Sequence, residues 1–239
     1  LLAMQEFGHL PKGYRRVEAI RNWVQRQVTF KSATSSSTTL CRVSDVTLLT
    51  PVIKSYMTDK GYQAATNMQQ VYGGHGYIKE WGMEQFVRDA RINMIYEGTN
   101  TIQSLDLLGR KVLGDNGAKL KKFGKQIAAF VEEEGVNEAM QEFVNPLADL
   151  GDKVTKLTTE LGMKAFGNAD EVGAAAVDYL RVAGHLCFAY FFARMAKVAL
   201  AKKDSGDPFY GAKLAHAGDE VHFLLRSDYE VVRQGGVQG

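Results

Sequence analysis

The residues with the clearest capacity for chemistry lie in two short segments. The first is Gln70-Val71-Tyr72-Gly73-Gly74-His75-Gly76-Tyr77, and the second is Ile95-Tyr96-Glu97-Gly98-Thr99-Asn100-Thr101-Ile102-Gln103. A glycine-rich turn leaves backbone exposed, so a ligand can approach it closely. This one lacks the spacing and trailing Lys-Ser/Thr of a P-loop and the glycine spacing of a dinucleotide fingerprint, so on its own it reads as a helix stop. Glu97 is a single carboxylate directly before a glycine, flanked by Tyr96 and Ile95. A carboxylate at the edge of an apolar pocket loses solvation, its pKa rises, and it becomes useful as a general base. Taken alone, a glutamate in a turn is more often solvated and idle.

The elements that must position these residues are helices. From Leu48 onward the apolar spacing is helical, and period-two runs of β-branched residues are scarce, which predicts an all-α chain. Thr50-Pro51 reads as an N-cap and first-turn proline opening a helix to about Tyr72, which the glycines at 73, 74 and 76 stop. Met83 to Ile92 predicts a second helix, Asn93 to Gly98 a turn, and Asn100 to Leu113 a third helix. Gly114-Asp115-Asn116-Gly117 is a breaker and a candidate domain boundary.

Beyond it, Ala118 to Glu134 reads as one helix. Met140, Phe143, Leu147, Leu150, Val154, Leu157 and Leu161 then form an apolar seam at alternating spacings of three and four, and Pro146 should kink or divide that helix. Asp178 to Lys203 predicts a further helix with Leu180, Leu186, Tyr190, Phe191 and Val198 facing the core. The set describes an antiparallel helical bundle. Ser32 to Thr39 reads as a flexible polar linker, and His216 to Gly239 as a fraying tail.

Composition narrows the function classes. Of 239 residues, 45% are hydrophobic and 23% charged, and the formal net charge is only +2, so no nucleic-acid footprint is visible. Lys12, Arg15 and Arg16 make a small basic cluster that reads as a solvated face. Only Cys41 and Cys187 are present, far apart in the chain and without a second thiol nearby, so neither a disulfide framework nor a thiolate metal site is supported, which favours a reducing, intracellular setting. His216 and His222 are not at helical ligand spacing, and no metal is expected. The most apolar stretch, Ala183 to Ala201, is interrupted by Arg194 and Lys197 and reads as a buried helix rather than a membrane span. Leu1 to Phe30 is Arg-rich and acid-poor in the manner of a transit peptide. A truncated parent chain explains the initial Leu more simply.

In order, and with Val87-Arg88-Asp89-Ala90-Arg91-Ile92 between them, the two motifs resemble the C-terminal helical domain of the acyl-CoA dehydrogenases. The resemblance runs from about Leu48 to Val112. The region through about Ala215 is similar to the extra helical domain of long bacterial members, including those acting on methylmercaptopropionyl-CoA. It implies an acyl-CoA dehydrogenase-type helical bundle at 48–115 and a second antiparallel bundle at 116–215, between an atypical segment at 1–47 and an atypical tail at 216–239. The family's N-terminal helical and middle β-domains have no counterpart in this sequence.

The resemblance also implies roles. Glu97 takes the catalytic base position, and the cofactor is flavin adenine dinucleotide (FAD). Gln70, Gly73 and Gly74 match positions that contact the adenine diphosphate portion of a neighbouring subunit's cofactor, while Thr99 and Thr101 match polar positions near the flavin. Tyr96 and Gly98 fall to the substrate, with Gly98 leaving room for the acyl chain. Arg88, Asp89 and Arg91 suit structural ion pairs or a subunit contact. The implied partners are an acyl-CoA thioester, an electron-transfer flavoprotein and further copies of the chain in a dimer or tetramer, in bacterial cytoplasm and fatty acid β-oxidation. Two alternatives stay open: part of an acyl-CoA oxidase, and an inactive helical oligomerisation module supported by the Met140 to Leu161 seam.

Overall fold

The structure is a computed structural model and describes residues 37–226, with side chains described from Val46 to Val221 apart from Glu220. Those from Val43 onward belong to one compact unit. All regular elements among the described residues are helical: α1 Ser37–Val71, α2 Met83–Ile92, α3 Asn100–Leu105, α4 Ala118–Glu134, α5 Gln141–Gly167, α6 Asp170–Ala201 and α7 Pro208–Arg226. Short 3-10 turns join several of them, and a π-helical segment, Asp106–Val112, follows α3.

The centre of the bundle is α6. It packs against α3, the π segment, α5 and α7. Its buried positions include Tyr179, Val182 and Leu186, followed by Ala189, Ala193, Ala196 and Ala199, and the small alanine side chains on one stripe let neighbouring helices come near. At Gly184 a Cβ would meet Tyr56 Cδ2 at 3.2 Å and Val52 Cγ1 at 3.5 Å, so α1 crosses α6 where no side chain intervenes. The predicted seam is buried throughout, from Met140 to Leu161. Tyr190 joins α6 to α4, meeting Phe123 and Phe130 edge-to-face with ring centroids at 5.8 and 5.6 Å. Leu48, Val52, Leu107, Leu108 and Val112 join the same buried cluster as the seam, so the residues on either side of Gly114–Gly117 share one core.

Several expectations are corrected. Thr50-Pro51 does not open α1, because the helix begins at Ser37 and passes through Pro51. The Thr50 hydroxyl donates back to Val46 O at 2.6 Å instead of accepting from the next turn, as a cap would. Pro51 is fully buried, and its burial offsets part of the backbone bond it cannot make. Ser37 to Thr39, the end of the supposed linker, is helical, while the remainder of that run and the transit-like segment lie outside the described residues.

Pro146 does not divide α5, which runs unbroken from Gln141 to Gly167. The third helix changes type at Asp106, where the widened turn brings Lys111 Nζ within 2.9 Å of Asp106, five residues earlier. Phe191 and Val198 are exposed at 42% and 52%, since the alanine stripe, not these larger groups, turns inward. The segment from His216 to Arg226 is helical, and Ala217 and Val221 are buried in the core. A start signal for α7 was present in Asp207-Pro208: the Asp207 carboxylate accepts from Phe209 N at 2.9 Å, and proline occupies the first helical position.

Candidate active site

Glu97 lies in the turn between α2 and α3. Its φ is +54°, and Gly98 follows at +84°, so two consecutive residues adopt the left-handed conformation. Only Asn116 shares this feature among the other described non-glycine residues. A side chain there is strained and needs the surrounding structure to hold it, a condition that concentrates at functional sites. Gly98 has a backbone reason to be glycine beside any substrate reason: a Cβ would also meet Gln103 Nε2 and Ile102 Cγ2, both at 3.3 Å.

Both carbonyls of the turn are held. Gln103 Nε2 donates to Glu97 O at 3.1 Å, and Lys54 Nζ, from α1, donates to Gly98 O at 2.7 Å. Lys54 also donates to Asn100 Oδ1 at 3.0 Å. The Asn100 amide is oriented in turn, because Nδ2 donates to Ser55 O at 3.2 Å and to Asp59 Oδ1 at 2.7 Å. Thr99 caps α3, its hydroxyl accepting from Ile102 N at 3.4 Å. Nothing in the motif spacing pointed to Lys54, which lies on a different helix and is brought in by tertiary packing.

The carboxylate of Glu97 is exposed, and the apolar side chains beside it are exposed too: Ile95, Tyr96, Ile102 and Leu105 lie between 38% and 50% accessible. No acceptor among the described residues takes the Glu97 backbone N–H. Thr101 is likewise exposed.

The glycine-rich turn ends α1 as a 3-10 segment, Gly73–Gly76. Gly76 is buried against the helix end, where a Cβ would fall 2.4 Å from Gln69 O, and Gln69 Nε2 donates to Gly76 O at 3.2 Å. Gln70, Gly73 and Gly74 are exposed, and a Cβ at either glycine would meet nothing within 4 Å. The turn is thus braced on one side by Gly76 and open on the other. His75 is exposed with its ring edge-on to Trp81.

The charged residues of α2 do not form the expected ion pairs among the described residues. Asp89 instead accepts from Gln85 Nε2 at 2.6 Å, and Arg91 lies over the Tyr62 ring at 5.5 Å, tying α2 to α1. Arg88 is exposed. A cavity of about 940 Å³ between α4 and α5, lined by Leu120, Gly124, Gly151, Thr155 and Gly162 among others, shares no residue with either motif. Cys187 is buried and free, and burial pushes its thiol up to about 12, which suits a packing residue rather than a nucleophile.

Two family models match the chain: "Acyl-CoA dehydrogenase, C-terminal domain" over residues 8–113, and "Acetyl-CoA dehydrogenase C-terminal like" over residues 123–218. The chain belongs to the acyl-CoA dehydrogenase family. The first match begins well upstream of Leu48, where the motif-based resemblance was read to start. Among relatives, 3-methylmercaptopropionyl-CoA dehydrogenase of Ruegeria pomeroyi is 36% identical over 173 residues, covering 71% of this chain and 29% of the relative. A broad-specificity linear acyl-CoA dehydrogenase of Mycobacterium tuberculosis is 31% identical over 181 residues, covering 71% and 30%. An acyl-CoA dehydrogenase of Bacillus subtilis is 43% identical over 61 residues, or 26% of this chain and 16% of the relative. The chain therefore spans less than a third of the length of the relatives it matches. No helix among the described residues is long and apolar enough to cross a membrane.

Proposed function

We propose that this chain is the substrate-activating part of an FAD-dependent acyl-CoA dehydrogenase, in which the Glu97 carboxylate removes the α-proton of an acyl-CoA thioester on the way to a trans-2-enoyl-CoA. The observation that carries this reading is the left-handed, doubly anchored conformation of Glu97 in a chain of this family. A thioester α-proton is a weak acid, so the negative charge that develops on the thioester oxygen needs a donor already in place. The uncommitted Glu97 N–H is one such donor.

The exposed apolar residues Ile95, Tyr96, Ile102 and Leu105 suit a surface that is covered in the complete enzyme. Covering it would strip water from Glu97 and raise its basicity, as a general base needs. Tyr96 and Gly98 border the acyl chain in this reading. The open side of Gly73 and Gly74, next to exposed Gln70, fits close approach by the adenine diphosphate portion of FAD bound to a neighbouring subunit. Exposed Thr99 and Thr101 fit hydroxyl contacts near the flavin. When bound, FAD supplies the hydride acceptor for the substrate's β-carbon. An electron-transfer flavoprotein as acceptor, a homodimer or tetramer, and a bacterial cytoplasmic location belong to the same proposal.

Titrating the purified chain with FAD and with an acyl-CoA, followed by flavin absorbance and calorimetry, tests the reading against a helical scaffold. Saturable binding of either is expected. A chain that binds neither is the result the scaffold reading requires.

A further inference from the structure

We propose that Lys54 is a positioning residue for Glu97, a role that rests on the reading of Glu97 as the base. The orientation of a backbone carbonyl follows the ψ angle of its own residue. Gln103 grips the carbonyl of Glu97 and Lys54 grips the carbonyl of Gly98, so the two peptide planes that follow the glutamate are both fixed. A left-handed glutamate relaxes to ordinary backbone unless its surroundings over-determine it. Gln103 lies on α3, a few residues from the turn, and can move with it. Lys54 is the anchor that ties the turn to a separate helix.

Its ammonium group is suited to that task. The bond to Gly98 O is short for a nitrogen donor, at 2.7 Å, as charge-assisted bonds are. Among the described residues Lys54 closes no ion pair, so its charge is directed at two neutral oxygens, Gly98 O and Asn100 Oδ1. Asn100 fixes the approach of Lys54, since its amide nitrogen is held by Ser55 O and by the Asp59 carboxylate on the same helix. The arrangement runs from α1, through Lys54, to the second peptide after the reacting residue. In this role Lys54 touches neither substrate nor flavin. It acts through the direction in which Glu97 projects.

Lys54→Met keeps the length of the stem and removes the donor. In the chain itself, amide hydrogen exchange at Ile102 and Gln103, whose N–H groups bond Thr99 Oγ1 and Thr99 O within the turn, should accelerate by about tenfold to a hundredfold, the range spanned by loss of one charged hydrogen bond. Exchange at core amides such as Leu147 and Val182 should be unchanged. In the flavin-loaded enzyme, kcat should fall by a similar factor, about tenfold to a hundredfold, with KM for acyl-CoA within about twofold. Unchanged exchange at Ile102 and Gln103, equal acceleration across the core, or a loss confined to KM would each overturn the proposal. Glu97→Gln separates this from failure of the underlying reading, because it keeps the Lys54 anchor and removes the base. If Glu97→Gln retains turnover, the base assignment fails whatever Lys54→Met does. If Glu97→Gln is inactive and Lys54→Met keeps its kcat, only the positioning role fails.

Discussion

The helices from α4 to α6 and the stretch from Tyr72 to Leu105 are built on opposite plans. The first buries its own apolar surface: every residue of the Met140 to Leu161 seam is inside, and Tyr190 is wedged between Phe123 and Phe130. The second buries almost nothing. No residue of α2 is buried, while Tyr77, Trp81, Phe86, Ile92, Ile95, Tyr96 and Ile102 are all exposed. Yet the second region carries the strained glutamate and the anchors that hold it. One region supplies stability. The other spends some of it on a shaped, uncovered surface.

Substitutions in each region test that contrast. The largest effect should come from Leu147→Ala in the seam, which empties a fully buried site and should cost about 2–5 kcal/mol in denaturant unfolding. Ile102→Ala, in the exposed region, should fall within about 0.5 kcal/mol of the parent chain. Similar losses at the two positions would remove the distinction.

A smaller loss is expected at Gly98. Alanine there must accept a φ of +84° and press on Ile102 and Gln103, so Gly98→Ala should cost about 1–2 kcal/mol, read as a lower Tm. Tyr179→Phe tests a polar contact inside the seam. Burial pushes the Tyr179 hydroxyl up to about 12, and it lies 2.8 Å from Thr158 Oγ1, so its removal should cost about 1 kcal/mol.

The smallest effect concerns the entry to α4. Asp115 is partly desolvated, which would raise its pKa. Lys119 and the backbone N–H groups of Lys119 and Ala118 outweigh this and hold it below the ordinary 3.8. A carboxylate with a lowered folded pKa stabilises above its unfolded value and loses that contribution as pH falls through the folded one. Asp115→Asn should therefore cost about 1 kcal/mol at neutral pH, and the gap between the two proteins should close below about pH 3.8. A gap that persists in acid would assign the effect to shape rather than charge.

The same contrast explains what the sequence made legible. Where a helix buries its own face, periodicity is a direct record of packing, so α4 was readable to the residue and the seam was readable completely. On α6 apolar residues occur on every side, and periodicity could not choose between Phe191 and the alanines that are buried. In the exposed region no periodic signal placed the site. There the motif carried the information, because Glu97, Gly73 and Gly98 are set by left-handed backbone and Gly76 by close packing, none of which leaves a periodic pattern. Lys54 escaped both kinds of reading. Its partner carbonyl belongs to the backbone of a distant residue, and side-chain patterns carry no trace of such a contact.

An anaerobic spectral titration decides the claim that Glu97 is the base. Acyl-CoA is added to the flavin-loaded protein and to its Glu97→Gln variant while the visible flavin absorbance is followed. Bleaching in the parent protein that slows about a thousandfold in Glu97→Gln, within the range a positioned general base contributes, is the predicted result. Equal bleaching in both would contradict the claim.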